Sequence, residues 1–151
     1  MDKVSPNALK RARNSKGITQ EKAAEMSGYS VDAIQAWEAG TRRASLEVLE
    51  RLAIAYDAPW LPQMYLRELS TGSLAETLPE FRPGVPVSQA VLTVLQKLDQ
   101  FYTQHSDRRL ISLAADGVID EAERSEYDHI MEDLKDLSRA FEELKYSEKW
   151  Q

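Results

Sequence analysis

The chain of 151 residues contains no cysteine, which excludes disulfide bonds, thiolate nucleophiles and cysteine-ligated zinc. No segment approaches the roughly 18 consecutive apolar residues that a membrane helix needs. The N-terminal segment MDKVSPNALK also lacks the apolar centre of a secretory signal. We therefore expect a cytoplasmic protein without a membrane partner, and its 42% of hydrophobic residues suffices for a folded core.

Residues typical of catalysis or metal binding are sparse. The two histidines, His105 and His129, are far apart in sequence and have no companion cluster. The six glycines form no phosphate-binding loop. We expect neither an enzyme nor a bound metal or cofactor.

One segment, residues 112–123, imitates the second half of a calcium-binding loop. Several of its residues are in register with such a loop: Asp116, Gly117, Ile119, Asp120 and Glu123. Ser112 and Ala114 occupy the first and third loop positions, so too few oxygen ligands remain for calcium. We interpret the segment as an ordinary corner between helices, in which Gly117 makes the turn and Asp120 caps the next helix.

The net charge of −6 is distributed unevenly along the chain. Residues 1–66 carry a charge of +1, whereas residues 67–151 carry −7. A nearly neutral N-terminal half can still bind nucleic acid if its cations face one way, because phosphate contacts depend on the local patch. The candidates for such a patch are Lys10, Arg11, Lys16, Lys22, Arg42 and Arg43.

The N-terminal half is predicted to be helical, with glycines and capping residues at the helix ends. Ser5 and Pro6 open the first helix. The expected helices run from there to about Lys16, over 20–27, over 31–39, over 46–57 with a cap at Ser45, and from Pro59 or Trp60 towards Leu69. In the fourth helix an apolar stripe recurs at helical spacing: Leu46, Leu49, Leu52, Ala53 and Tyr56.

Prolines and glycines in residues 70–87 predict a linker, so we divide the chain into domains 1–69 and 88–151. The second domain is expected to contain a helix over 88–105, a short helix, and a long helix over 121–146. The first of these carries an apolar stripe of Val91, Val94, Leu95, Leu98, Phe101 and Tyr102. The stripe on the long helix is expected to pack on the first helix, to form a dimer, or both.

Residues 17–38, GITQEKAAEMSGYSVDAIQAWE, predict two short helices joined by a turn at Gly28. Ser30 can cap the second of them. Ile34 and Trp37 fall on its inward side at a spacing of three. The residues on its other faces are available to an outside partner: Val31, Asp32, Gln35 and Ala36.

The stretch from Leu9 to Trp60 closely resembles the Cro and phage-repressor class of helix-turn-helix domains, the XRE family. The resemblance rests on four features: the run Gly17–Glu21, the turn Gly28–Ser30, the pair Trp37–Glu38 before Gly40, and the stripe Leu46, Leu49, Leu52 and Ala53. It implies an all-α fold, with a five-helix lambda-repressor-like DNA-binding domain followed here by a small helical domain.

Residue roles follow from the resemblance and from helix chemistry. Gln20 opens its helix, where free N–H groups and the helix dipole favour a phosphate. Arg42 and Arg43 follow the recognition helix and are expected to anchor phosphates. The base-reading candidates on that helix are Ser30, Val31, Asp32, Gln35 and Ala36. By resemblance, Arg13 and Glu38 form a structural ion pair.

Three positions depart from the common pattern of the family. Ala23 and Ser27 replace larger apolar residues, so we expect a thinner core there, or one filled by Met26 and Tyr29. Asp32 places a carboxylate on the reading surface. That carboxylate indicates a defined base contact, a role at the helix N-terminus, or weak binding.

The sequence therefore predicts a sequence-specific regulator of transcription that binds double-stranded DNA. We expect a repressor that binds an inverted-repeat operator as a homodimer. The alternative is a protein-interaction adaptor or antitoxin-like regulator, whose acidic C-terminal domain binds a partner protein.

Overall fold

The computed structural model describes residues 8–148. Within that range the regular secondary structure is helical, apart from one isolated bridge between Pro86 and Glu148. The chain divides into two compact units, Met1–Leu78 and Pro79–Gln151. The all-α prediction is therefore confirmed, whereas the predicted helix start at Ser5 and Pro6 lies outside the described residues.

The first unit begins with a series of short helices whose ends follow the predicted punctuation. The helices are α1 (Ala8–Ser15), α2 (Gln20–Ser27), α3 (Val31–Glu38), α4 (Leu46–Ala55), α5 (Leu61–Leu69) and α6 (Ser73–Thr77). Thr19, Ser30 and Ser45 each accept a hydrogen bond from a backbone N–H in the first turn of the helix that follows. These caps fix the starts of α2, α3 and α4.

The core of the first unit is formed where α1 packs on α3 and α5, and where α4 packs on α2 and α5. Its largest fully buried side chains are Leu9, Ile34, Leu49, Leu52, Tyr56 and Leu61. Leu46, expected in the buried stripe of α4, is 58% exposed. It is the first residue of the helix, so the buried stripe begins one turn later, at Leu49.

The predicted linker, residues 70–87, is folded in part. Its first portion forms α6 within the first unit, where the guanidinium of Arg67 donates to the carbonyl oxygens of Ala75 and Leu78. Within the second unit, Phe81 is buried and stacks on Tyr146 with 5.2 Å between ring centroids. The segment is therefore divided between the two units.

The second unit contains α7 (Val87–Thr103), α8 (Ser106–Leu113) and α9 (Arg124–Lys145). Helix α9 runs antiparallel to α7. The backbone N–H of Glu148, just beyond α9, donates to the carbonyl of Val85 at 3.0 Å. Further along, Lys97 Nζ lies 3.1 Å from Asp136 Oδ2. The long helix therefore folds back on α7, as one of the two expected arrangements requires.

The apolar stripe expected on α7 is only partly buried. Val94 packs in the core together with Ala90, whereas Val91, Leu95 and Tyr102 are 39%, 56% and 61% exposed. Among residues 8–148, α7 packs mainly on α9 and also on α8. The exposure of these three residues leaves a second apolar face of α7 open. No helix among residues 8–148 is long and apolar enough to cross a membrane.

Candidate DNA-binding surface

Helices α2 and α3 are joined by a turn whose backbone only glycine adopts readily. Gly28 has φ +75° and ψ 12°, in the left-handed region, and its N–H donates to the carbonyl of Ala24 at 2.9 Å. Two residues later, Ser30 Oγ accepts from the N–H of Ala33 at 3.2 Å and starts α3. The result is two helices of eight residues joined by a tight turn.

Helix α3 is held on the core by its inward side. Ile34 and Trp37 are buried, as predicted, and Tyr29 packs edge-on against Trp37 at 5.0 Å between ring centroids. Met26, by contrast, is 46% exposed and does not fill the core, whereas Tyr29 is half-buried against Trp37.

The outward side of α3 carries the predicted base-reading residues. Ser30, Asp32 and Gln35 are exposed, whereas Val31 and Ala36 are half-buried. Ser30 uses its hydroxyl as the helix cap, and Asp32 stands in the first turn, where the helix dipole favours a carboxylate. The surface thus offers an amide, a carboxylate and two small apolar groups.

The two arginines that follow α3 lie in a loop fastened to the end of that helix. The backbone N–H of Arg42 and the hydroxyl of Thr41 donate to the carbonyl of Ala36, at 3.2 Å and 3.1 Å. The guanidinium of Arg42 lies over the ring of Trp37, 5.7 Å from its centroid. Arg42 and Arg43 are both exposed, and neither forms an ion pair with a carboxylate of residues 8–148.

Three other cations of the predicted patch are already in ion pairs. Arg11 pairs with Glu68. Lys16 Nζ lies 3.3 Å from Asp57 Oδ2, and Lys22 Nζ lies 2.9 Å from Glu25 Oε2. Lys10 is exposed. Exposed ion pairs of this kind contribute at most about 1 kcal/mol, so a phosphate can compete for these cations.

The ion pair between Arg13 and Glu38 is confirmed, and it is buried. Arg13 Nε and Nη2 donate to the two carboxylate oxygens of Glu38 at 2.6 Å and 2.9 Å, and Nη1 donates to the carbonyl of Ile18 at 2.7 Å. The hydrogen bonds with Glu38 raise the pKa of Arg13 above its ordinary value. Burial, and after it the charge of Glu38, raises the pKa of the nearby Tyr56 to about 12.

Gln20 makes contacts that sequence reasoning missed. Its Nε2 donates to Glu38 Oε2 at 2.9 Å, and its Oε1 accepts from Gln35 Nε2 at 3.2 Å. The side chain expected to reach a phosphate therefore connects the buried ion pair to the outward face of α3. No spacing rule within one helix relates positions 20, 35 and 38, because they lie on two different helices.

The segment that imitates a calcium loop forms the expected corner at Gly117, but α9 begins only at Arg124, with Glu123 rather than Asp120 at its N-cap position. Gly117 has φ +76°, and Asp120 Oδ1 accepts from the N–H of Glu123 at 2.9 Å. The Glu123 carboxylate accepts in return from the N–H of Asp120 at 3.3 Å. Among the described residues, no group of three or more potential ligands is arranged to hold a metal ion. His105 and His129 are both exposed.

Residues 9–61 match the family model for helix-turn-helix domains. The match covers every predicted DNA-contacting residue and the buried Arg13–Glu38 pair. Searches of curated proteins and of solved structures give no match. Residues 9–61 therefore form a helix-turn-helix domain, the fold of DNA-binding regulators of the Cro and phage-repressor type, the XRE family.

Proposed function

We propose that the protein is a transcriptional repressor that binds an inverted-repeat operator as a homodimer. The observation that carries the proposal is the outward side of α3, which presents polar and small apolar side chains. It is followed by two exposed arginines that form no ion pair with a carboxylate of residues 8–148. A helix with this exposure fits the major groove, where each base pair presents a distinct pattern of donors, acceptors and methyl groups.

Within this proposal, the residues divide between base edges and phosphates. Gln35 pairs with adenine, and Val31 or Ala36 packs on a thymine methyl group. Ser30 lies at the N-terminal end of α3, next to a phosphate or a base edge. Arg42 and Arg43 neutralise phosphates, and the free backbone N–H groups at the start of α2, at Gln20, donate to another phosphate. Asp32 acts at the N-terminus of α3 or accepts from cytosine.

The open apolar face of α7 supports the homodimer. Val91, Leu95 and Tyr102 recur at spacings of four and seven, so they share one side of the helix. The same face on a second copy of the chain is an apolar partner of matching length. In a two-fold symmetric dimer, the two α3 helices would lie about 34 Å apart, in successive major grooves. This spacing predicts half-sites one helical turn apart.

Selection from a random pool of duplex DNA with the full-length protein tests the proposal. An enriched inverted repeat is expected, and Gln35→Ala should weaken binding to it by about 1–3 kcal/mol while changing affinity for random DNA much less. Arg42→Ala and Arg43→Ala should weaken both nearly equally, and each should flatten the slope of log affinity against log salt by about 0.9. An unchanged slope would remove the phosphate roles.

Sedimentation of the full-length protein tests the dimer. Leu95→Glu should shift the protein towards the monomer and weaken operator binding, because two buried carboxylates would face each other. Ile54→Glu is the matched control, since Ile54 is 82% exposed on α4 and should tolerate the charge. If the full-length protein retains no DNA at low salt, and if Leu95→Glu and Ile54→Glu both sediment as monomers, the adaptor function is favoured instead.

A further inference from the structure

Arg67, near the end of α5, fastens the segment that follows its own helix back onto the first unit. Its Nη1 donates to the carbonyl of Ala75 at 2.9 Å and also to the carbonyl of Leu78. Arg67 is half-buried, and charge-assisted hydrogen bonds that are partly shielded from water are stronger than exposed ones. Residues 70–78 are therefore held at both ends, by α5 at the start and by Arg67 at the finish.

Helix α6 is too short and too exposed to keep this arrangement by itself. It has five residues, and isolated helices of such a length are unstable in water. None of its side chains is buried. The chain turns into α6 at Gly72, whose φ of 72° and ψ of −141° lie in a region that essentially only glycine adopts. The fold of residues 70–78 therefore depends mainly on one guanidinium and one glycine.

The first residues of the second unit are fastened to the end of α9. Phe81 is buried and stacks on Tyr146 with 5.2 Å between ring centroids. The backbone N–H of Gly84 donates to the carbonyl of Tyr146 at 3.0 Å. The second unit is therefore anchored from Phe81 onwards.

The connection between the two fastened points, Leu78 and Phe81, contains two residues, Pro79 and Glu80. Consecutive Cα atoms are about 3.8 Å apart, so this connection spans at most about 11 Å. If residues 70–78 came away from α5, the connection would extend from Ser70 to Phe81. A flexible chain of that length has a root-mean-square span of about 18 Å and a maximum of about 40 Å.

We infer that Arg67 determines which spacing between half-sites the dimer accepts, because it keeps the connection between the two units short. The inference rests on the proposed function, in which the second unit dimerises and each N-terminal unit binds one half-site. Each base pair inserted between the half-sites moves them about 3.4 Å apart and turns one relative to the other by about 35°. A long connection can follow this displacement over several base pairs, whereas a short one cannot.

The first test compares binding of the full-length protein to the selected operator and to a version with two extra base pairs between the half-sites. The insertion should weaken binding by the wild-type protein at least about tenfold, because both half-sites are no longer reached together. Arg67→Met removes both hydrogen bonds but keeps a long apolar side chain. In this variant the same insertion should weaken binding by less than about threefold.

Two further variants separate the length of the connection from the loss of a charge. Gly72→Val opposes the left-handed backbone before α6, and a Cβ at this position meets no atom within 4 Å. It should widen the tolerated spacing, as Arg67→Met does, with no change of charge. Arg51 pairs with Glu47 of the same helix, at 3.6 Å. Arg51→Met removes one arginine from the first unit and should keep the wild-type dependence on spacing.

A distance measurement tests the connection without DNA. The chain has no cysteine, so Ile54→Cys and Ile111→Cys place one spin label on each unit, at side chains that are 82% and 73% exposed. Dilution with unlabelled protein restricts the signal to labels on one chain. Double electron–electron resonance should give a broader distance distribution when Arg67→Met is added. Circular dichroism checks that both labelled proteins are folded.

The outcomes distinguish the inference from the proposed function. A dependence on spacing that Arg67→Met and Gly72→Val leave unchanged overturns the inference, while the protein remains a dimeric regulator. A distance distribution that stays as narrow in Arg67→Met as in the parent protein also overturns it. A pool without an enriched inverted repeat removes the proposed function, and the inference about spacing falls with it.

Discussion

Replacing Arg13 with methionine should destabilise the helix-turn-helix unit by about 3–5 kcal/mol. The side chains of Arg13 and Glu38 are only 9% and 4% exposed, so the variant leaves a carboxylate inside the protein without its counter-ion. Removing one partner of a buried ion pair has an effect of this size. The carbonyl of Ile18 also loses its donor, Arg13 Nη1 at 2.7 Å.

A double variant separates the loss of the pair from the loss of packing. Arg13→Met combined with Glu38→Leu removes both charges and fills similar volumes with apolar groups. Replacement of a buried pair by apolar residues is often neutral or stabilising. We therefore expect the double variant to be more stable than Arg13→Met alone, even though it carries an additional substitution.

Urea unfolding followed by tryptophan fluorescence measures these differences. Trp37 and Trp60 both lie in the first unit, and a Trp150→Phe background removes the remaining tryptophan. The signal then reports the first unit alone, which matters because a chain of two units need not unfold in one step. With a slope near 2 kcal/mol/M, the midpoint of Arg13→Met should fall by roughly 2 M.

Two results would refute this reasoning. A loss below about 1 kcal/mol in Arg13→Met would mean that water or a shifted side chain solvates Glu38 without a counter-ion. A double variant less stable than Arg13→Met would mean that the unpaired Glu38 carboxylate is tolerated better than leucine at that position, so an uncompensated buried charge would not be the cause of the loss.

Three further predictions concern single side chains of the same unit. Because the pKa of Tyr56 is raised to about 12 whereas an unfolded tyrosine titrates near 10, the folded state keeps the proton longer. Stability should therefore fall between pH 10 and pH 12, by about 2–3 kcal/mol from this group. Tyr56→Phe should reduce that fall in urea titrations, and an equally steep fall would exclude Tyr56 as its source. Ser30→Ala should lower the free energy of unfolding by about 1 kcal/mol, because α3 loses its cap; an unchanged urea midpoint would contradict the capping role. Asp32→Asn should lower stability by about 0.3–1 kcal/mol and leave the selected operator unchanged if the carboxylate acts on the helix dipole. Loss of preference for one base would assign Asp32 to base contact instead.

The bounds of α2 were predictable because the signals that set them are local. Thr19 caps the helix, and Gly28 ends it with a left-handed backbone that other residues avoid. Both signals act within four residues of the helix end. The same holds for the turn at Gly117, whose left-handed backbone is again a local signal.

The exposure of α7 was not predictable from the same kind of pattern. Periodicity identifies an apolar side of a helix, but the neighbouring helices decide how much of that side is covered. Val94 and Leu95 are adjacent, yet the first is buried and the second is exposed. The width of the face that α9 covers depends on tertiary packing, and the spacing of residues within α7 does not specify that packing.

Glu38 accepts from Arg13 and from Gln20, and these two contacts have separable consequences. Arg13 supplies the charge that makes a buried carboxylate tolerable, so its removal acts mainly on stability. Gln20 is half-buried and neutral, and water can replace it at the edge of the carboxylate, so its removal should cost only about 1 kcal/mol. The same carboxylate therefore has one contact on which the fold depends, to Arg13, and one that it can lose at small cost, to Gln20.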